Sequence, residues 1–148
     1  MKVRYAVLLA GALLAAGGAQ AQFQKPEDAV KYRQSAFSVL GTHFSRIGAM
    51  TSGKVPFDAK LAQENAAIVM TMSKLPMAGF TPDSKQVKSR AKPELWTEMD
   101  KAKAGGEKMV LAAAALNEAT KTGNLDAVKK AFGETAATCK ACHDAYRE

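Results

Sequence analysis

Apolar residues recur every three or four positions in four separate segments of the chain, and this spacing constrains the fold more than any other feature of the sequence. A stripe of this kind lies along one face of an α-helix, because the helix has about 3.6 residues per turn. No segment alternates between apolar and polar residues as a half-buried strand does, and β-branched residues are sparse. The segments cover approximately residues 26–50, 58–75, 93–121 and 125–146. They predict an all-α protein, an antiparallel four-helix bundle that buries the four stripes against one another.

The stripes also indicate which residues lie in the core and where the helices end. Asp58 and Asn124 are expected helix N-caps, and Gly123 is expected directly after the third helix. Gly105 and Gly106 interrupt the third stripe, which either a kink or a close helix contact would explain. In order along the four helices, the expected core residues are Val30, Arg33, Phe37, Leu40, Phe44 and Ile47; Leu61, Asn65, Ile68, Met72 and Leu75; Met99, Ala102, Gly106, Met109, Ala113 and Leu116; and Leu125, Val128, Phe132, Thr135, Cys139, Cys142 and Tyr146.

The composition excludes several classes of protein. A chain of 148 residues that is 47% hydrophobic has the length and apolar content of one domain with a real core. Mixed charge disfavours disorder, and two cysteines are too few for a disulfide-dense scaffold. The net charge of +7 is spread along the chain and not gathered into an aromatic-interleaved patch, so nucleic acid binding is disfavoured. Such a charge suits a solvated surface, an anionic cofactor or an anionic partner protein.

The first 21 residues have the pattern of an export signal. Lys2 and Arg4 precede an apolar run at 6–16, and Ala19-Gln20-Ala21 matches a cleavage site. An uncleaved anchor is disfavoured, because a bilayer span needs about 20 apolar residues. We therefore expect a cleaved signal peptide at 1–21, a single domain at 22–148, no membrane association after cleavage, and a location in the periplasm of a Gram-negative bacterium.

The sequence Cys139-Lys140-Ala141-Cys142-His143 is the C-x-x-C-H attachment signature of c-type haem. Two thiols add to the two haem vinyl groups, and their three-residue offset puts both sulfurs on one side of a helical turn. The adjoining His143 then supplies the axial nitrogen to the iron. Because both cysteines lie in register with the fourth stripe, the cofactor is expected in the bundle core. The motif predicts one covalently attached haem c per chain.

Three other uses of the paired cysteines remain open. A redox-active C-x-x-C usually opens a helix after a strand, and no strand is visible. A zinc site needs four ligands, whereas the chain has two Cys and two His, with His43 far from His143 in sequence. A plain structural disulfide is the third alternative.

Three stretches closely resemble cytochromes c′, the exported bacterial class II cytochromes c. They are Gln22-Phe23 through Arg33-Gln34-Ser35-Ala36, Pro-Glu-Leu-Trp at 93–96, and Cys-Lys-Ala-Cys-His-Asp-Ala-Tyr-Arg at 139–147. The resemblance covers essentially all of 22–148, including a haem motif near the C-terminus, whereas class I cytochromes c have it near the N-terminus. It implies a four-helix bundle, usually a homodimer, whose five-coordinate haem is open to NO and CO on a hindered distal side.

Three residues of the first helix are candidates for contacts with the haem. Arg33 places a cation at a core position, where it needs an anion, and haem propionates supply two. The resemblance implies that Arg33 and Gln34 lie near the propionates; the alternative is that the Arg33 head reaches solvent. Phe37 occupies the family's apolar position, often Leu, that covers the empty axial site. Its larger ring should exclude water and slow ligand entry, and a role as ordinary core is compatible with this.

The identity of a sixth iron ligand is the next question. Some relatives use a first-helix Met and become low-spin electron carriers, but residues 26–49 contain no Met. Met70, Met72 and Met77 are conceivable ligands, although a Met on an apolar stripe is more typical of core. His43 is about 120° around the helix from Phe37, so we expect it on the surface or flank. Five-coordination is therefore predicted.

Two cations outside the first helix complete the candidate site. Arg147 follows His143 by one turn and matches the family's proximal-side Arg, while an exposed cation favouring the helix C-terminus is the alternative. Lys92 ends a cationic connection at 76–92, a length at which structureless loops are uncommon and often touch a ligand. The resemblance implies that Lys92 reaches the haem edge. Aromatic residues expected in the core or beside the haem are Phe80, Trp96 and Tyr146.

These features favour a periplasmic haem protein that captures NO. The rival function is one-electron transfer to a periplasmic redox partner protein. An enzyme such as a peroxidase is disfavoured because no distal His–Arg pair is in sight, although an open haem can support incidental redox activity. The first-helix face suggested for the expected homodimer contains Ala29, Tyr32, Ala36 and Val39.

Overall fold

Four long α-helices and one short α-helix make up most of the part of the chain that the structure describes. The computed structural model describes residues 22–148, and the expected export signal at 1–21 lies outside the described residues. The helices are α1 (Pro26–Thr51), α2 (Ala59–Ser73), α3 (Glu94–Thr97), α4 (Met99–Lys121) and α5 (Leu125–Tyr146). α1 packs along α2, α2 along α4, and α4 along α5, which confirms the predicted four-helix bundle. None of these helices is long and apolar enough to cross a bilayer.

The helix ends follow the local signals in the sequence. The Asp58 carboxylate accepts a hydrogen bond from the backbone N–H of Leu61 at 2.9 Å, as an N-cap does. Asn124 Oδ1 accepts from two backbone N–H groups at the start of α5, at 2.9 and 3.1 Å. Gly123 has a φ of +67°, the left-handed conformation that commonly ends a helix. All three boundary predictions are confirmed.

The third predicted helix is divided into α3 and α4, so its start near residue 93 is confirmed to within one residue but the prediction of one continuous helix was wrong. Glu98 separates the two helices with φ −117° and ψ 34°, outside the α-helical region. Its carboxylate accepts hydrogen bonds from the Tyr146 hydroxyl at 2.9 Å and from the Lys101 ammonium at 2.8 Å. The contact with α5 accounts for the break, and a tertiary contact of this kind leaves no trace in the apolar periodicity.

The main hydrophobic core lies where α1, α2, α4 and α5 meet. Ile47, Val69, Leu116 and Val128 are almost completely buried there. The predicted core position of Leu61 is wrong, because this residue is 46% exposed. The buried face of α2 is instead formed by Ala62, Asn65, Ala66, Val69 and Ser73. Alanine side chains allow close approach to the neighbouring helices, and this turns the contact face away from Leu61.

The connection at 76–92 is ordered by short helices and by close packing on α1. It contains two 3₁₀-helices, Pro76–Gly79 and Pro82–Gln86, in keeping with the rarity of structureless loops of this length. A Cβ atom at Gly79 would lie 2.6 Å from the Ala29 carbonyl oxygen and 2.8 Å from Arg33 Cβ. Only glycine therefore permits this approach of the connection to α1.

The connection also explains one glycine of the third stripe. A Cβ atom at Gly106 would lie 2.8 Å from Met77 Cγ, so the close-contact alternative holds for this residue. A Cβ atom at Gly105 would meet no atom within 4 Å. The two adjacent glycines therefore have different surroundings, one packed and one open.

The α1 face suggested for dimerisation is mostly internal. Ala29 and Ala36 are buried within the chain, at 0% and 6% exposure, so placing them on an outer surface was wrong. Tyr32 is half-buried beside Phe23, with ring centroids 5.2 Å apart. Val39 remains on the surface.

We predict that Gly79→Ala lowers the free energy of unfolding by about 2 kcal/mol, because the added methyl group overlaps backbone and Cβ atoms of α1. Denaturant unfolding of the haem-loaded protein, followed by far-UV circular dichroism, measures the change. Gly133→Ala is the matched control, since Gly133 is exposed on α5 and a Cβ atom there meets nothing within 4 Å. The control should be slightly stabilising. Equal unfolding midpoints for the two variants would contradict the prediction.

Candidate haem site

A cavity of about 940 Å³ opens between α1, α4, α5 and the connection at 76–92. This volume falls in the range of cofactor-sized sites, about 300–1,000 Å³. Its walls bring together seven of the eight site residues predicted from the sequence, namely Arg33, Gln34, Phe37, Cys139, Cys142, His143 and Arg147. Gly41 and Gly105 also line it, and a Cβ atom at either would meet nothing within 4 Å. The cavity therefore has open space beside two helix backbones.

The two cysteines lie one turn apart on the α5 wall of the cavity. Both thiols are free and half-buried, which argues against the structural disulfide. Burial raises the pKa of both the Cys139 and the Cys142 thiol, so they are protonated at neutral pH. His43, which a zinc site would need, instead lies between α1 and α2, where its Nδ1 is 2.8 Å from Asn65 Oδ1. His43 is therefore not placed to join the two cysteines as a zinc ligand.

His143 lies at the cavity edge, beside the guanidinium of Arg147. Arg147 Nη1 is 3.3 Å from His143 Nε2. Burial lowers the pKa of His143, and the positive charges of Arg147 and Arg90 lower it further. The imidazole is therefore neutral at pH 7, the form in which a ring nitrogen can bind a metal.

Arg33 is buried at 3% exposure and held by neutral partners. Its Nη1 donates to the Gly79 carbonyl at 2.6 Å and to Ser84 Oγ at 2.8 Å, and its Nη2 donates to Ser89 Oγ at 3.2 Å. The guanidinium carbon also lies 4.5 Å from the Phe80 ring centroid. These contacts overturn the alternative in which the head reaches solvent.

The Arg33 charge has no counter-ion among residues 22–148, where no carboxylate forms an ion pair with it. Burial lowers the pKa of its guanidinium, yet arginine stays protonated in proteins. Three of its five N–H groups are used in the hydrogen bonds above, so it retains donors for an anion. A buried cation with neutral partners at a cavity wall fits the carboxylate edge of a haem.

The serine and glycine partners of Arg33 were missed by sequence reasoning. Gly79, Ser84 and Ser89 belong to the connection at 76–92, whose length alone suggested a ligand contact. A buried Arg requires acceptors, but the sequence contains no signal that says which loop residues supply them.

Gln34 and Phe37 differ in burial although both line the cavity. Gln34 is exposed at the rim, whereas Phe37 is half-buried and also packs against the main core. Both interpretations of Phe37, as distal cover and as core, are therefore compatible with its position on the α1 wall.

Lys92 is the predicted site residue that does not line the cavity. Its Nζ donates to the Asp144 carbonyl oxygen at 2.9 Å, at the C-terminal end of α5. The Asp144 carbonyl lies in the last turn of α5, where backbone carbonyls have no partner within the helix. Its hydrogen bond with the Lys92 ammonium holds that side chain away from the cavity. Among the candidate sixth ligands, Met77 lines the cavity and Met70 and Met72 do not.

The residues present fit a covalently bound haem. The cavity has a suitable volume, two free thiols with haem-motif spacing, a neutral imidazole and a buried cation that forms no ion pair with any described residue. Neither a redox-active disulfide nor zinc accounts for the volume or for Arg33.

Comparisons with known proteins agree with this geometry. Residues 28–147 match the family model described as cytochrome C'. Cytochrome c' from Rubrivivax gelatinosus is 48% identical over 86% of this chain and 99% of its own length, and a crystal structure of that protein superposes with a TM-score of 0.83. A nitric oxide complex of a variant of cytochrome c prime from Alcaligenes xylosoxidans has a TM-score of 0.80 at 40% identity, covering 86% of this chain and 98% of the other. The chain therefore belongs to the cytochrome c′ family and carries covalently bound haem c.

Proposed function

We propose that this protein is exported to the periplasm, loses residues 1–21, and binds NO and CO at one five-coordinate haem c in the domain at 22–148. The observation that carries the proposal is the α1 wall of the cavity. Beyond the Arg33 and Gln34 end, the residues of this wall are Phe37, Ser38, Leu40, Gly41, Phe44 and Ser45, and none of them is a His, Met or Cys that would bind the iron. The nitric oxide complexes of the Alcaligenes relative support the same ligand class.

Haem bound in the cavity would supply an iron atom able to bind a diatomic gas. Cys139 and Cys142 would attach the cofactor to α5, and the neutral imidazole of His143 would provide the protein's nitrogen ligand to the iron. Phe37 excludes water from the opposite side and slows gas entry. Arg33, with Gln34 at the rim, binds the propionates, and Arg147 modulates the proximal pocket beside His143.

The proposed biological role is capture of NO rather than turnover of a substrate, and we assign no catalytic residue. The protein acts as a homodimer, as the family resemblance implies, and is free of the membrane once the signal is removed. Its positive charge permits contact with an anionic periplasmic redox partner.

One-electron transfer is the second candidate function, and one observation favours it. Met77 and Met109 line the cavity, and a methionine thioether is a known sixth ligand of electron-carrying haem proteins. Met77 Sδ, however, lies 3.1 Å from the point that a Gly106 Cβ would occupy, so its thioether is packed on the α4 backbone. This packing favours an open axial position.

Absorption and resonance Raman spectra of the purified ferric and ferrous protein, before and after addition of NO and CO, test the proposal. We expect high-spin five-coordinate bands that shift when gas is added. A low-spin six-coordinate spectrum that ignores CO would contradict gas capture and support electron transfer. In that case, the same spectra of Met77→Leu would show whether Met77 is the hidden ligand.

Phe37→Ala should increase the rate of CO association with the ferrous protein about tenfold. This corresponds to an activation free energy for association that is lower by about 1.4 kcal/mol. The physical reason is the removal of the ring that covers the axial position. Stopped-flow absorption measures the rate. Phe57→Ala is the matched control, because Phe57 packs against the main core but does not line the cavity. Equal acceleration in the two variants would attribute the effect to general loosening and refute the role of Phe37.

Arg33→Met should lower the haem reduction potential by about 60 mV, equivalent to a tenfold change in the one-electron equilibrium. A buried cation near the haem favours the reduced state, which has one positive charge fewer, so removing the cation disfavours reduction. Spectroelectrochemical titration measures the potential. Lys140→Met removes an exposed cavity-lining cation that is paired with Asp144, and solvent screening should keep its effect much smaller. Shifts of equal size would exclude a specific Arg33–propionate contact.

A further inference from the structure

The last turn of α5 is held by residues from a distant part of the chain. A helix leaves its last four backbone carbonyls without intrahelical partners. Lys92 satisfies two of them: its backbone N–H donates to the Tyr146 carbonyl at 2.9 Å, and its Nζ donates to the Asp144 carbonyl at 2.9 Å. The ammonium also places a positive charge at the negative end of the helix dipole.

Neighbouring residues extend this contact into a short antiparallel pairing of 90–92 with 146–148, which we call the C-terminal clasp. Ala91 forms a β-bridge with Arg147. The Glu148 N–H donates to the Arg90 carbonyl at 3.0 Å, and Arg90 Nε donates to the Glu148 carbonyl at 2.7 Å. The chain end is therefore fixed to the connection that also supports Arg33.

The position of the clasp matters because His143 belongs to the turn that it holds. Lys92 bonds to the carbonyl of Asp144, the residue next to His143, and the bridge fixes the backbone of Arg147. The His143 carbonyl accepts from the Arg147 N–H at 3.0 Å, and the Arg147 guanidinium lies 3.3 Å from His143 Nε2. Both the backbone and the side-chain neighbour of the imidazole are thus set by the clasp.

We propose that Lys92 is a positioning residue for the axial histidine: by capping α5 it fixes the direction of the His143 imidazole and keeps Arg147 beside it. This inference rests on the proposed function, in which His143 is the axial ligand. Lys92 acts through the backbone of α5 and not by contact with the haem. It replaces the haem-edge role expected from the sequence.

The test compares three variants of the haem-loaded protein with the unmodified protein. Lys92→Met removes the ammonium but keeps the backbone hydrogen bond and the side-chain length. Lys88→Met is the matched control, because Lys88 is an exposed lysine of the same connection. Lys92→Arg retains a cationic donor and should restore the cap. The readouts are amide hydrogen exchange at 144–148 and the iron–histidine stretching band of the ferrous protein.

We expect Lys92→Met to speed exchange in the last turn about tenfold, as loss of a charged hydrogen bond does. It should also shift and broaden the iron–histidine band, whereas Lys88→Met and Lys92→Arg should match the unmodified protein in both readouts. Faster exchange with an unchanged band would overturn the proposal, since Lys92 would then be a helix cap only. Unchanged exchange would overturn it too. Absence of an iron–histidine band from the unmodified protein would be a separate result, overturning the proposed function and the inference with it.

Discussion

A guanidinium buried inside a helix bundle destabilises the fold by several kcal/mol unless its N–H groups find acceptors and its charge finds a partner. Arg33 meets this requirement only because the connection at 76–92 folds onto α1. Gly79 and Ser84 supply acceptors there, and Phe80 supplies an aromatic face. The close approach at Gly79 and the order of the connection thus follow from one buried charge. The propionates that we propose as its counter-ion would link the same network to the cofactor.

The bundle is filled by side chains in one part and left open in another. In the main core Phe44 and Phe132 stack with ring centroids 4.2 Å apart, and a Cβ atom at Gly48 would lie 2.9 Å from the Phe132 ring. Protein interiors are normally packed to crystal-like density, and even a methyl-sized void is destabilising. The cavity of about 940 Å³ in the same bundle is far larger than a methyl-sized void, so it is not a packing defect. Covalent haem bound here, as we propose, would supply the missing contacts, and the stability of this part of the fold would then depend on the cofactor.

Features with a local cause were predictable from the sequence. The caps at Asp58 and Asn124 depend on side chains a few residues from the helix starts, and the haem motif depends on a spacing of three within one helix. Features that depend on distant residues were not predictable. The break at Glu98 follows from its hydrogen bond with Tyr146, and the exposure of Leu61 follows from the packing of α2 alanines. Lys92 illustrates the same limit, because a cationic loop residue is equally suited to a propionate and to a helix C-terminus.

α5 and α1 contribute to the cavity in different ways: α5 carries the residues proposed to attach the haem, and α1 carries the residues proposed to limit ligand entry. Every proposed covalent or iron-coordinating bond to the cofactor comes from residues 139–143 of α5, so the haem is expected to follow the position of that helix. α1 contributes Phe37 and its apolar neighbours, which form no bond to the cofactor and are placed by packing alone. The distance between haem and distal wall is therefore set by how the helices pack and by the connection that ties α1 to the rest. Because attachment and access reside on separate helices, ligand entry can be altered at Phe37 while the haem motif and its cap remain unchanged.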